Sequence, residues 1–481
     1  MKLKRYVFGL LAVLLAATLF ACGNDEDSNV LQICVGSESV WFYQEKLDAY
    51  VEENNLPFSI RVTGVDTGKY AETFLLDTSA GADIFVAAHD KLGKLTEGSS
   101  AIAPITDEDL IDSIDDSVAD YFQDVVYMSV GGATGQYYAV PIMRQALVLY
   151  YNKAYFNDAS ECDTWEKILK VAEDNNKLAT SYLGDDGFNY SHWLLAQPSN
   201  EAAKAVFAQD GAKGTLQIYK GGDDSKNYTW GDDQVAISKY AQRFTMHKNG
   251  RNGAIVNKDG WESELKNNQV ITVIGGAWSV GSVDSILGED NYGVTVLPKF
   301  TLTEEDAYGT ATAGMEFQSG SFYDVKCLMK KKGSKFAEYL DDIMYFMTTE
   351  EMQLESFIYC NNLPAFKTFD AQAEFDKLDE DLREEAEITQ TKVDLAVAQI
   401  SQGENAGLPQ PFGYKSKHNP AYYSKACPYY VELHQDTTAY ETAAARNAKI
   451  VETLQTVGYI LVHDATKPSA ADVKAWIATL K

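Results

Sequence analysis

The sequence predicts an α/β chain organised as two lobes, and two observations carry that expectation. From Leu31 onward, apolar runs alternate with segments of helical spacing, the pattern of parallel strands joined by crossover helices. The chain of 481 residues is also far longer than the roughly 250–300 residues at which a single hydrophobic core stops growing.

Taken in order, residues 31–35 form an apolar run, 44–53 have helical spacing, 58–62 alternate, 69–78 are helical again and Ile84–Ala88 is apolar. This is a βαβαβ succession. A further helix is expected to open at Thr164, ahead of Trp165-Glu166-Lys167-Ile168-Leu169, because a threonine hydroxyl accepts from an amide of the first turn that has no other partner. Residues 270–274 read as a strand, and 292–297 as another that Pro298 ends. From Thr368 on the pattern is largely helical, most clearly over 440–453 and 470–480. Two stretches read as long loops or insertions: 210–233, rich in Gly and Asp, and 407–436, rich in Pro and Tyr. Long loops tend to carry function. Tyrosines on the second either line a sugar-binding cleft or pack the loop onto its own lobe. No internal repeat is present.

The beginning of the chain carries Lys2, Lys4 and Arg5, then an uncharged apolar run over residues 6–20. These are the n-region and h-region of a signal peptide. The run is short for a helix crossing ~30 Å of hydrocarbon, which needs about 20 apolar residues. It stops at Leu19-Phe20-Ala21-Cys22, which resembles the lipobox of bacterial lipoproteins. That resemblance implies a signal peptide over 1–21, an acylated Cys22 as the new N-terminus, and a polar, acidic tether within 22–30. The expected location is then the cell surface or periplasm, lipid-anchored to the membrane. The alternative is an ordinary signal peptide with a cysteine near its end.

The formal charge of −29 includes three positive charges in this leader (Lys2, Lys4, Arg5), so the remainder stands at −32. Such a chain repels phosphate backbones, and nucleic acid and anionic membrane surfaces are poor partners for it. The other five cysteines (Cys34, Cys162, Cys327, Cys360, Cys427) are odd in number, widely spaced and without a Cys-x-x-Cys pair. They read as mostly buried free thiols, with one or two disulfides as the alternative.

No catalytic signature is complete. The six histidines form neither His-Glu-x-x-His nor a close pair, so no zinc site is expected. No phosphate-binding loop occurs, and neither a metal nor a cofactor is implied. Residues 277–281 approach a nucleophile elbow, but Ala277 replaces the first glycine and a bulky Trp278 precedes Ser279. Asp223, Ser225 and Asn227 resemble the first ligands of a calcium loop, but Tyr228 stands where glycine is needed and Gln234 where glutamate is. No catalytic residue is assigned.

Polar and aromatic residues at strand ends remain. Asp90 and Lys91 follow directly on the strand at Ile84–Ala88, and in open α/β sheets ligands bind at the carboxyl edge. A neighbouring acid and base there can accept from and donate to sugar hydroxyls, or form a solvated surface pair. Trp278 follows a strand and two glycines, Gly275 and Gly276. Its ring could stack on the apolar face of a pyranose, or pack in the core.

These residues sit within a set of motifs in one register: Ala88-His89-Asp90-Lys91-Leu92-Gly93, Val140-Pro141-Ile142 with Ala146-Leu147 and Tyr151-Asn152-Lys153, Thr164-Trp165-Glu166, Gly276-Ala277-Trp278, and Asn291-Tyr292-Gly293-Val294-Thr295-Val296-Leu297-Pro298. The set resembles the extracellular solute-binding proteins of ABC importers, in the maltose and maltodextrin branch, over residues 31–363 and more loosely the terminal helices. The resemblance implies an α/β periplasmic-binding-protein fold: two lobes, three crossovers forming a hinge, and an interlobe cleft that closes on ligand. The crossovers should fall near 143–148, 315–318 and 347–351. The first lobe would then comprise 31–142 and 319–346, and the second 143–318 and 347–481. It further implies a monomer that captures an oligosaccharide and delivers it, without chemistry, to an ABC permease in the membrane.

Asp90 and Lys91 become hydroxyl partners on this basis and Trp278 a stacking ring, with Glu38 a further hydroxyl partner. Ala87 stands where the best-known members carry a stacking tryptophan, and Gln145 where they carry glutamate. Trp41, Tyr190, Tyr430 or Tyr440 would then supply the missing rings. The competing expectations are a receptor for another sugar and a surface-anchored glycan hydrolase. The latter needs two carboxylates ~5–9.5 Å apart across a sugar site.

Overall fold

The structure, a computed structural model, describes residues 29–128, 130, 135–183, 187–189, 191–198, 207–210, 215–218, 232–245, 254–257, 260–309, 313–410, 421–435, 442–463 and 465–479. The leader with Cys22, Tyr190, Tyr440 and the segment holding Asp223, Ser225 and Asn227 lie outside these residues.

In chain order the framework is β1 (Val30–Gly36), α1 (Val40–Glu53), β2 (Ser59–Val65), α2 (Tyr70–Leu76), β3 (Ile84–Ala88), β4 (Val140–Gln145), β5 (Val148–Asn152), α3 (Trp165–Asp174), β6 (Leu178–Leu183), α4 (Ser191–Leu194), β7 (Ala254–Asn257), β8 (Val270–Gly275), α5 (Val280–Leu287), β9 (Tyr292–Thr295), β10 (Ser321–Lys330), α6 (Leu340–Thr348), α7 (Glu350–Cys360), α8 (Gln390–Ala406), β11 (Gly407–Pro409), α9 (Cys427–Gln435) and α10 (Ala443–His463). Of the two largest sheets among the described residues, one runs β11-β10-β3-β1-β2 with β4 also on β10, and the other runs β7-β6-β8-β5-β9. β1 is parallel to both β2 and β3, whereas β10 is antiparallel to β3 and β4.

The local physics follows the sequence pattern. β3 is buried throughout, as a central strand covered on both faces must be. The Thr164 hydroxyl caps α3 by accepting from the Lys167 amide at 3.3 Å. Asn361 ends α7 in the left-handed conformation at φ 57°, one of the few non-glycine side chains that tolerates it. The five described cysteines are free thiols, four of them buried.

Two main cores match the two sheets. The first draws on residues of 31–143 and 323–352 with Ala365, and the second on residues of 147–322 with 422–460. The chain passes between the sheets from β4 to β5 and again just before β10. The resemblance places a third passage at 347–351, but Met347 and Met352 both lie in the first core. Beyond them the chain still runs along the first lobe, where the Leu363 carbonyl accepts from Arg144 and the Ala365 carbonyl from Ala119. α6 therefore packs with the first lobe through Leu340, Ile343, Met344 and Met347, and α7 joins it through Met352, while Phe357 and Ile358 of α7 enter a separate apolar cluster with residues 363–396. The expected long loop at 407–436 also differs in structure. It begins with β11 on the edge of β10 and includes a π-helical turn, Ala421–Ala426, that leads into α9. Tyr422, Ala426, Cys427 and Tyr430 recur at helical spacing and are buried in the second core.

Candidate functional site

A cavity of about 1360 Å³ opens between the two sheets, and its walls come from both lobes. On the first wall, β1 runs through Gly36 into a turn bearing Glu38, and β3 runs into the turn His89–Lys91. Both turns leave the carboxyl ends of parallel strands, the edge at which such sheets take ligands. Asp90 is 6% exposed. The Lys91 ammonium lies 3.2 Å from its Oδ2 and 3.3 Å from Glu72 Oε1. Burial opposes the charge on Lys91, but Asp90 and Glu72 outweigh it and raise its pKa. Beneath them His89 is wholly buried; its Nδ1 accepts from the Val325 amide at 3.3 Å, and burial pushes its pKa down.

The antiparallel register sets Lys326 of β10 opposite Ala88 and Asp324 opposite Gln145. A second acid–lysine pair thereby joins the first on the same wall, with Lys326 Nζ 2.6 Å from Asp324 Oδ2. Gln410 donates to Asp324 Oδ1 at 3.1 Å and accepts from the Tyr423 hydroxyl at 2.5 Å.

The other wall centres on Trp278, which stays 50% exposed. A Cβ on Gly276 would sit 2.2 Å from the indole ring, so only glycine lets the ring fold back over the backbone there. The Tyr150 hydroxyl donates to the Gly276 carbonyl at 2.8 Å, and Phe188 meets the ring edge-on at 5.6 Å. Ser279 next to it is 5% exposed, and no histidine stands among the described lining residues.

Glu38, Asp90, Lys91, Gln145 and Trp278 are thus brought to one cavity. Trp41 is not among its lining residues; it packs edge-on against Phe42 and Tyr359, behind the Tyr359 ring that does line it. Tyr430 is also elsewhere: at 2% exposure it points into the second core from α9, where burial raises its pKa. Ala87 is fully buried opposite Cys327, and its neighbour Ala88 reaches the cavity.

Several lining residues escaped the sequence reading, among them Asp324, Lys326, Phe188, Gln410 and Tyr423. A signal for two of them was present. Asp324 and Lys326 are charges two apart in a mostly apolar strand, a spacing that puts them on one face. Tyr423 sits on the π-helical turn, a conformation frequent at functional sites.

A histidine packed against Trp165, Tyr182 and Trp193 of the second core makes a pH prediction. His192 is fully buried, and its Nδ1–H donates to the Asn189 carbonyl at 2.8 Å. Burial pushes its pKa from 6.5 down to about 4, against the pull of that hydrogen bond. The unfolded chain therefore takes up a proton that the folded chain refuses. Stability is full above about pH 6.5 and falls toward pH 4, by about 1.4 kcal/mol per pH unit. Thermal unfolding measured across this range should show the decline, and His192→Phe should make it shallower, the buried His89 keeping a residual slope of the same sign. An identical slope in that variant would contradict the assignment.

With this geometry, the chain has the architecture of a two-lobed binding protein, and it belongs to the family described as bacterial extracellular solute-binding protein, which matches residues 46–382. Among curated relatives, it is similar to the maltooligosaccharide ABC transporter solute-binding lipoprotein of Streptococcus pneumoniae serotype 4, at 22% identity over 377 residues, 74% of this chain and 78% of that one. It is likewise similar to the maltodextrin-binding protein MdxE of Bacillus subtilis, at 24% over 319 residues, 64% of this chain and 71% of that one. Among solved structures, the ligand-free maltodextrin-binding protein MalE1 from L. casei BL23 superposes with a TM-score of 0.63 at 17% identity, covering 89% of this chain and 98% of that one. A cyclo/maltodextrin-binding protein complexed with maltotetraose gives 0.60 at 18%, covering 92% and 98%. At these identities the structural likeness establishes the two-lobed fold.

Proposed function

We propose that this chain is the substrate-binding component of an ABC transporter, capturing maltodextrin-type oligosaccharides in the interlobe cleft and delivering them to a membrane permease. One observation carries the reading: a half-exposed indole on one wall faces a cavity whose other wall presents the Asp90–Lys91 pair. A pyranose has an apolar face and a rim of hydroxyls, each both donor and acceptor, and so needs a flat ring and paired charged groups. At about 1360 Å³ the cavity exceeds the roughly 300–1,000 Å³ of small-molecule sites, which suits several sugar units in a chain. The relatives named for maltooligosaccharides and maltodextrin support the same ligand class.

In this reading Glu38, Asp90, Lys91 and Gln145 meet hydroxyls and Trp278 stacks on a ring face. The first two passages between the sheets, with a third beyond residue 366, form the hinge. Ligand touches both walls at once only when they approach, so binding biases the chain toward closure. Titration with maltotriose should saturate, and small-angle scattering should show a smaller radius of gyration at saturation. A scattering profile unchanged by bound sugar would sink the closure mechanism.

The same reading places the protein outside the cytoplasm, held to the membrane by an acyl group on Cys22 and acting as a monomer. No helix among the described residues is long and apolar enough to cross a membrane, so on this reading attachment rests on the lipid. Cys22→Ala should shift the protein from the detergent phase to the aqueous phase in phase partitioning. A wild-type mature protein already in the aqueous phase would refute the anchor.

A further inference from the structure

We propose that Lys326, held by Asp324 and Gln410, is a sugar-recognition residue that donates from the cleft wall to one defined oxygen of the bound oligosaccharide; the inference rests on the maltodextrin reading above. The arrangement is asymmetric. Both oxygens of Asp324 are engaged, Oδ2 by Lys326 at 2.6 Å and Oδ1 by Gln410 at 3.1 Å. Lys326 spends one of its three donors on this bond. The pair therefore faces the cavity with donors to spare on the lysine and a carboxylate held in place by Gln410. It complements the neighbouring Lys91, whose ammonium is shared between Asp90 and Glu72.

Stability gives little reason for such a pair on this strand. The side chains of Lys326 and Asp324 are only 10% and 13% exposed, in a strand whose other residues are mostly apolar. Desolvating two charges offsets most of their attraction, and apolar replacements of a buried pair are often neutral or stabilising. A ligand that accepts from the ammonium supplies what the fold does not. Gln410 is a positioning residue: it fixes Asp324 and is itself fixed by Tyr423 from the π-helical turn.

The test uses the mature protein and two variants, Asp324→Leu/Lys326→Met, which removes the pair together, and Lys326→Gln, which keeps an N–H donor. Each is titrated with maltose and a set of monodeoxy maltoses, beside thermal unfolding. In the wild type one deoxy position should cost about tenfold or more in affinity through loss of the contact to Lys326, the size of a charge-assisted hydrogen bond. In the double variant maltose should bind about tenfold more weakly, and the penalty at that one position should vanish while the others persist. Lys326→Gln should retain a reduced penalty at the same position, and it decides the matter if the double variant does not fold. Maltose affinity equal to wild type, or a uniform loss with every deoxy penalty intact, would overturn the role of Lys326 and leave the maltodextrin reading standing. A wild type that binds no α-glucan would overturn both.

Discussion

Trp278→Ala is expected to weaken maltotriose binding about thirtyfold while leaving thermal unfolding close to wild type. The loss corresponds to about 2 kcal/mol, the size of a buried aromatic hot spot, because sugar covers the ring only in the complex. Without ligand the indole is 50% exposed and meets Phe188 by an edge contact, so its removal takes little from the core. Phe188 should lose the edge support and Gly276 the ring above it, both local effects. Calorimetric titration of both proteins, with melting curves in the absence of sugar, separates the roles. Native affinity in the variant would remove Trp278 from the site, and a large fall in melting temperature would return it to the core.

The fold was legible where backbone pattern and burial coincide. The apolar run at Ile84–Ala88 is a strand with those bounds, and Thr164 caps its helix through the hydroxyl. β10 was missed because its apolar residues are interrupted by Asp324, Lys326 and Lys330, charges that are stable in a buried strand only once partners arrive from distant segments. Lys330, for example, is paired with Asp341 on α6 at 2.5 Å. The site was legible at strand ends, where topology alone determines which edge a residue occupies; Asp90, Lys91 and Trp278 are of this kind. The Tyr-rich segment was not. Choosing between Tyr423 and Tyr430 requires knowing where a π-helical turn passes into α9, since an extra residue in the turn changes which rings face the core. No local pattern in 421–435 announces that change of pitch.

The other large effect lies behind the cleft, in α8. Gln402 is wholly buried. Its Oε1 accepts from the Leu297 amide at 2.8 Å, and its Nε2 donates to the Ser319 carbonyl at 2.8 Å. Ser319 stands two residues before β10, on the second passage between the sheets. One turn earlier, Gln399 accepts from the Ala146 amide on the first passage at 3.3 Å. A single helix therefore satisfies backbone groups on both passages. Gln402→Ala strips the partner from the buried Leu297 amide and leaves the buried Ser319 carbonyl only a 3.5 Å contact from Gln318 Nε2; a buried backbone group left unsatisfied costs about 1–3 kcal/mol. Stability should fall by about 2–4 kcal/mol, and Gln399→Ala, which loses one longer bond, should fall by less. Gln372→Ala, at a partly exposed position on a neighbouring helix, loses only solvent-accessible side-chain bonds to Asp376 and Gln390 and should stay within about 0.5 kcal/mol of wild type. The measurement is denaturant unfolding of the three variants followed by tryptophan fluorescence. If Gln402→Ala matches Gln372→Ala, the backbone of the second passage does not depend on α8, and the helix packs beside the hinge without holding it.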